Sequence, residues 1–178
     1  MFTSRLTMIA AAVAGMGIAS LASADVPAFD KVNEGFSKVV STTDGSSPLY
    51  GLYRNKAKHQ LLAELPRGWQ SKKFLIAVTP AGGNIFSGLQ GPEQYVYWKR
   101  FGDRLALVSP QVDIRSTGEK SSRESVKTIF TDRVLFDVPI VANGPNGQPV
   151  IDLDNVILSH GPKLGGASLN SRLAEISK

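Results

Sequence analysis

The stretch QYVYWKRFGDRLALV, Gln94 to Val108, sets aromatic side chains (Tyr95, Tyr97, Trp98, Phe101) among cations (Lys99, Arg100, Arg104). Such a mixture is either a surface that reads nucleic acid or a strand pair of an ordinary sheet. Gly102-Asp103 separates two β-rich runs, and a two-residue Gly-X loop suits a tight hairpin turn. That closure sets Phe101 opposite Arg104, Arg100 opposite Leu105 and Trp98 opposite Leu107. Side chains alternate faces along a strand. Val96, Trp98, Leu105 and Leu107 therefore share one face, apolar except for Arg100. Tyr95, Tyr97, Lys99 and Phe101 share the other with Ala106 and Val108, cationic stems lying over aromatic neighbours. The signature octet of an RNA-reading sheet, with interleaved Gly and Phe, is absent. So is the clustering of cations that a nucleic-acid platform needs. The stretch reads as a half-buried hairpin in a sheet core, and no nucleic-acid partner is expected.

The texture on either side agrees with a sheet. LYGLYR and HQLLAEL, separated by the polar NKAK, read as a second hairpin. FLIAV, Phe74 to Val78, is apolar throughout and reads as a central strand covered on both faces. SPQVDIRSTG continues as strand and turn. DRVLFDVPIVA places Val134, Phe136, Val138 and Ile140 on one face, and Pro139, which cannot donate to a ladder, puts this strand at an edge or a bulge. NGPNGQ is a strong turn, PVIDLDNVIL leads back, SHGPKLGG is loop, and SLNSRLAEISK begins another element. Two segments change period. Phe29, Val32, Phe36 and Val39 recur at helical spacing. In SSRESVKTIF, Ser121 with Glu124 fits a capping box ahead of Val126, Ile129 and Phe130. The expected fold is mainly β, an antiparallel sandwich or incomplete barrel with one or two short helices.

Of the 178 residues, Met1 to Ala24 read as a secretory signal: Arg5, an apolar run, then Ala22-Ser23-Ala24 for a peptidase. The expected division is 1–24 signal peptide, 25–48 lead-in with a short helix, and 49–178 β-rich domain. Removing the signal takes away Arg5 and no acid, leaving 19 cations against 15 acids. That modest excess is spread along the chain, a solvated mixed surface. An exported chain without cysteine rests on its core alone. The expected location is periplasmic or extracellular, with no membrane partner after cleavage.

Chemistry-bearing motifs are lacking. His59 and His160 stand in unrelated contexts, H-E-x-x-H is absent, and there is no Cys, so the strong zinc patterns fail. Asp152 and Asp154 resemble the start of a calcium loop, but Val156 occupies the third ligand position. Asp154 reads instead as a helix cap ahead of NVILS. TPAGGNIFSGLQGPE lacks both the P-loop ending and the G-x-G-x-x-G spacing, and reads as surface loop. G-x-S-x-G is absent too. No catalytic, cofactor-binding or metal-ligating residue is assigned, and no cofactor is expected in this chain.

Four stretches, KVVSTTDGSSPLYGLYRNKAKHQLLAELP, QYVYWKRFGDRLALVSPQVDIRSTG, TDRVLFDVPIVANGPNGQPVIDLD and LNSRLAEISK, occur in an order and spacing that carry a resemblance. Together they resemble the N-terminal, β-rich region of large bacterial secreted zinc-dependent metalloproteases, a region of unassigned function. The resemblance covers Phe29 to Lys178. It implies a metzincin-like catalytic domain, with an extended H-E-x-x-H motif and its zinc, downstream of a chain that stops short of it. On that reading this chain is a truncated, non-catalytic accessory region or scaffold whose partner is the catalytic domain or a peptide substrate. No residue role of the family carries over to any position here. The alternative is a stand-alone exported protein that binds a peptide or glycan on a sheet face and the loop Pro80 to Pro92.

Overall fold

The computed structural model describes residues 26–39, 46, 48–82, 85 and 87–165. The signal segment and the final SLNSRLAEISK lie outside them. Among the described residues nine strands form two antiparallel sheets. β1 (Ser37–Val39), β2 (Gly51–Asn55), β3 (Gln60–Glu64), β9 (Pro149–Asp152) and β8 (Ala142–Asn143) make a five-stranded sheet in that order. β4 (Phe74–Ile76), β5 (Gln94–Phe101), β6 (Arg104–Ser109) and β7 (Arg133–Pro139) make a four-stranded one. Neither sheet closes on itself, so the mainly β expectation resolves to a two-sheet sandwich.

The hairpin that decided the fold has the expected register, with Phe101 opposite Arg104 and Trp98 opposite Leu107. Gly102 takes the left-handed φ of 59° that its turn requires. Val96, Trp98, Leu105 and Leu107 are buried on its inner face. They meet Ala63 and Ile151 of the other sheet, with Leu65, Phe136, Val138 and Ile140 completing one core. Trp98 stands edge-on to Phe136 at 6.3 Å. The opposite face of the five-stranded sheet carries a smaller core of Phe29, Tyr53, Leu62, Ala142 and Val150.

Several local expectations are corrected. The stretch from Phe29 to Val39 is no amphipathic helix. One 3₁₀ turn at Phe29–Lys31 is followed by Gly35 at φ 78°, and Ser37–Val39 then pairs with β2. Phe29, Val32 and Phe36 still pack together, on the sheet instead of along a helix face. FLIAV yields only the three-residue edge strand β4, with Leu75 64% exposed. After Ser109 the chain is irregular rather than extended. Helix α1 (Lys120–Ile129) forms, but its N-cap is Glu119 without a side-chain cap bond, and Ile129 and Phe130 are exposed.

β7 is an edge, as Pro139 demands. The ladder between β6 and β7 shifts register at Leu107/Val108, with Phe136 facing Leu107 and Val134 facing Val108. The extra residue, Leu135, turns Val134 out of the core row. The described part of SHGPKLGG, Ser159 to Gly165, is helical, not loop: α2 (Leu153–Asn155), a π turn at Val156–His160 and α3 (Gly161–Gly165) run on without a break. The cap of this run is Asp152, whose carboxylate accepts from Asn155 N at 3.1 Å. Asp154 reaches across to accept from Leu61 N at 2.9 Å instead.

Candidate binding sites between and beside the sheets

The two sheets part on one side. Tyr50 and Leu52 lead into and form β2, Phe74 and Ile76 lie on β4, Ile151 on β9, and Val156 on the π turn. Together they line an apolar slot of about 480 Å³. Its size is that of a small-ligand site. The slot is lined almost wholly by carbon. Its fixed polar feature is the Trp98 indole, which donates from Nε1 to the Tyr50 hydroxyl at 3.0 Å. Burial raises the Tyr50 hydroxyl above its ordinary pKa of 10.0, against the lowering effect of the indole bond. Tyr50 thus stays a neutral hydroxyl, with its own proton left to donate. Exposed Leu49 and Leu75 form the rim.

A second concavity, of about 570 Å³, follows the far half of β5. Tyr97, Trp98, Lys99 and Arg100 form one wall, the 3₁₀ turn Trp69–Ser71 contributes Trp69 and Gln70, and Gly147, Gln148 and Pro149 face them. The facing turn is anchored from beneath. The Glu64 carboxylate, 1% exposed, accepts from the Tyr53 hydroxyl at 3.0 Å and from Asn146 N and Nδ2 at 3.0 and 3.1 Å. Burial first, then the hydrogen bond and negative charge of Glu64, push the Tyr53 hydroxyl up to about 12. Gly144 packs so closely on this carboxylate that an added Cβ would overlap it.

On the outer face of the four-stranded sheet, the Tyr97 hydroxyl donates to Asp132 at 2.6 Å. That bond, followed by burial and the carboxylate's charge, raises Tyr97 to about 12, and the same bond leads the lowering of Asp132. Lys73 lies 5.4 Å from the Tyr95 ring and Lys99 5.2 Å from the Phe101 ring.

The two histidines do not converge. His59 is in the β2–β3 turn at φ 51°, and His160 ends the π turn, its ring stacked on Phe136 at 4.2 Å. Burial, then the nearby Lys163, lower the His160 pKa, opposed by Asp137. Among the described residues no three His, Asp or Glu side chains gather as a metal site, and no helix is long and apolar enough to cross a membrane. The described part of the Pro80–Pro92 loop folds back through Gly88 N to Pro80 O and Gly91 N to Val78 O, both 2.8 Å.

The slot and the Glu64 cluster escaped the reading of the sequence. A signal for Glu64 was present: it shares a strand face with Leu62, where a carboxylate points inward. Against known proteins, the chain matches no family model, no curated protein and no solved structure.

Proposed function

We propose that this chain is a non-catalytic binding module, exported and working beside the catalytic domain of a secreted zinc metalloprotease. In this reading it holds a peptide by seating one apolar side chain between its sheets. The observation that carries the binding role is the slot: carbon-lined, about 480 Å³, with the Tyr50 hydroxyl, held by the Trp98 indole, as a polar handle. An aliphatic or phenyl side chain gains roughly 1.5–3 kcal/mol on such burial, and a backbone carbonyl beside it can accept from Tyr50. The protease setting rests on the resemblance alone.

Short peptides carrying a single Leu or Phe among Gly and Ser, titrated into the full chain with tryptophan emission as the readout, test the slot. Binding should disappear with Ala in place of Leu or Phe. It should weaken strongly in Val156→Phe, which projects a ring into the slot. Equal responses to the apolar and Ala peptides would sink the proposal. The setting is tested by the nucleotide sequence beyond the Lys178 codon: a continuation encoding H-E-x-x-H supports it, and an unrelated sequence removes it.

A glycan is the second reading, favoured by exposed Tyr95 and Phe101 with Lys73 and Lys99 beside them. Neutral oligosaccharides in the same titration decide it.

A further inference from the structure

The register of β5 leaves part of its main chain open. Phe101 and Arg104 flank the two-residue turn and are therefore a hydrogen-bonded pair. Alternation makes Lys99 and Tyr97 the next residues of β5 to bond to β6. Gln94, Val96, Trp98 and Arg100 must then aim their N–H and C=O groups at the opposite edge. β4 takes the first two, pairing Ile76 with Gln94 and Phe74 with Val96. β4 goes no further, because the chain before it is wound into the 3₁₀ turn Trp69–Ser71. Among the described residues, no hydrogen bond reaches the main-chain groups of Trp98 or Arg100 on that side. They face the 570 Å³ cleft.

We propose that this cleft binds an extended acidic peptide, which adds to β5 as a strand in line with β4. The main-chain groups of Trp98 and Arg100 supply the ladder, the mode of strand addition at an open sheet edge. The chemistry of the occupant follows from charge. Lys99 and Arg100 line the cleft, and no Asp or Glu does. A carboxylate on the incoming strand meets complementary charge, and a second copy of this chain does not: two β5 edges side by side would oppose their own cations. The cleft shares only Trp98 with the slot and uses its main chain rather than its indole, so the two readings are tested separately.

Amide hydrogen exchange on the full chain tests it, with a peptide of alternating Glu and Val as probe. The Trp98 and Arg100 amides should exchange freely without peptide and slow down with it. The probe should bind at least about tenfold more tightly than the same peptide with Lys for Glu, and the preference should shrink as salt rises. Arg100→Ala keeps the N–H and removes the charge. Arg100→Pro also removes the N–H, and because that group lies outside the β5–β6 ladder, proline is tolerated there as on other edges. Arg100→Pro should bind about tenfold more weakly than Arg100→Ala. The Val156→Phe change in the slot should leave this binding intact. The proposal is overturned if the two amides are protected in the free chain, if the two Arg100 variants bind alike, or if the chain pairs with itself through this edge.

Discussion

Removing the Glu64 carboxylate should destabilise the domain by about 3 kcal/mol, although no active-site role is claimed for it. In Glu64→Ala the Tyr53 hydroxyl, in a residue 5% exposed, loses its acceptor. A buried hydroxyl left unpaired costs about 1–3 kcal/mol. The two bonds from Asn146 are lost as well, but Asn146 is exposed and turns to water, so they add only about 1 kcal/mol. The missing Cγ methylene, across the ladder from Val150, adds about 1 kcal/mol. Relief of the carboxylate's own desolvation offsets part of this, which leaves about 3 kcal/mol.

Urea denaturation at pH 7 measures it as a lower midpoint at unchanged slope. Glu64→Gln keeps the volume and an acceptor for Asn146, and should cost about 1–2 kcal/mol. A cycle with Tyr53→Phe should give a coupling of about 1–2 kcal/mol. If Glu64→Ala moves the midpoint by the equivalent of less than about 0.5 kcal/mol, the cluster contributes nothing and the reasoning fails.

Alkaline titration of tyrosine absorbance should show Tyr53 and Tyr97 ionising near 12 instead of 10.0. Their stabilisation is complete below pH 10 and fades as the pH climbs through about 12. Glu64→Gln should bring Tyr53 down but leave it above 10.0, since burial is the larger cause. His160 is held below its ordinary 6.5, so the unfolded chain takes the proton first. Stability should be complete above pH 6.5 and fall as the pH drops through the folded value, with His160→Phe flattening the dependence in urea midpoints at pH 7.5 and 5.5. Trp98→Ala should cost about 3–5 kcal/mol and Lys99→Ala less than about 0.5 kcal/mol, both read by denaturation. Metal analysis after dialysis should find no stoichiometric zinc, and casein should remain uncut. One tightly held zinc lost on mutating His59 or His160 would contradict the assignment.

The hairpin was legible because one turn fixes its register, and period-two alternation then assigns every side chain from Val96 to Val108 to a face. The edge position of β7 was legible from Pro139 for the same local reason. Phe29, Val32, Phe36 and Val39 misled because spacings of three and four also arise where an irregular chain drapes over a sheet, and Gly35 breaks any helix there. SHGPKLGG misled in the other direction: Gly161 and Pro162 read as breakers, yet the helical run that begins at Leu153 continues through both, with the π turn Val156–His160 directly before them. FLIAV was assigned a central place on hydrophobicity alone. Its neighbours in space are set by the long loop after it, which no local pattern encodes. The slot was invisible because its walls come from β2, β4, β5 and β9 and from the π turn, segments far apart in sequence.

Both concavities depend on the shortness of β4. A strand that continued backward from Phe74 would pair Lys73 with Tyr97 and Lys72 with Trp98, filling the cleft. Gly68, at φ 72°, starts the turn that prevents this, and Trp69, 3% exposed, anchors it in the core. At the other end, the chain leaves β4 for the Pro80–Pro92 loop, and among the described residues no strand pairs with the outer edge of Phe74–Ile76 over the mouth of the slot. The apolar surface of FLIAV is therefore spent partly on the core and partly on the rim, where Leu75 stays exposed. An apolar residue on a short edge strand adds little to stability and exposes the sheet to unwanted pairing. On the proposed binding role, Leu75 at this rim would lie against the peptide that enters the slot.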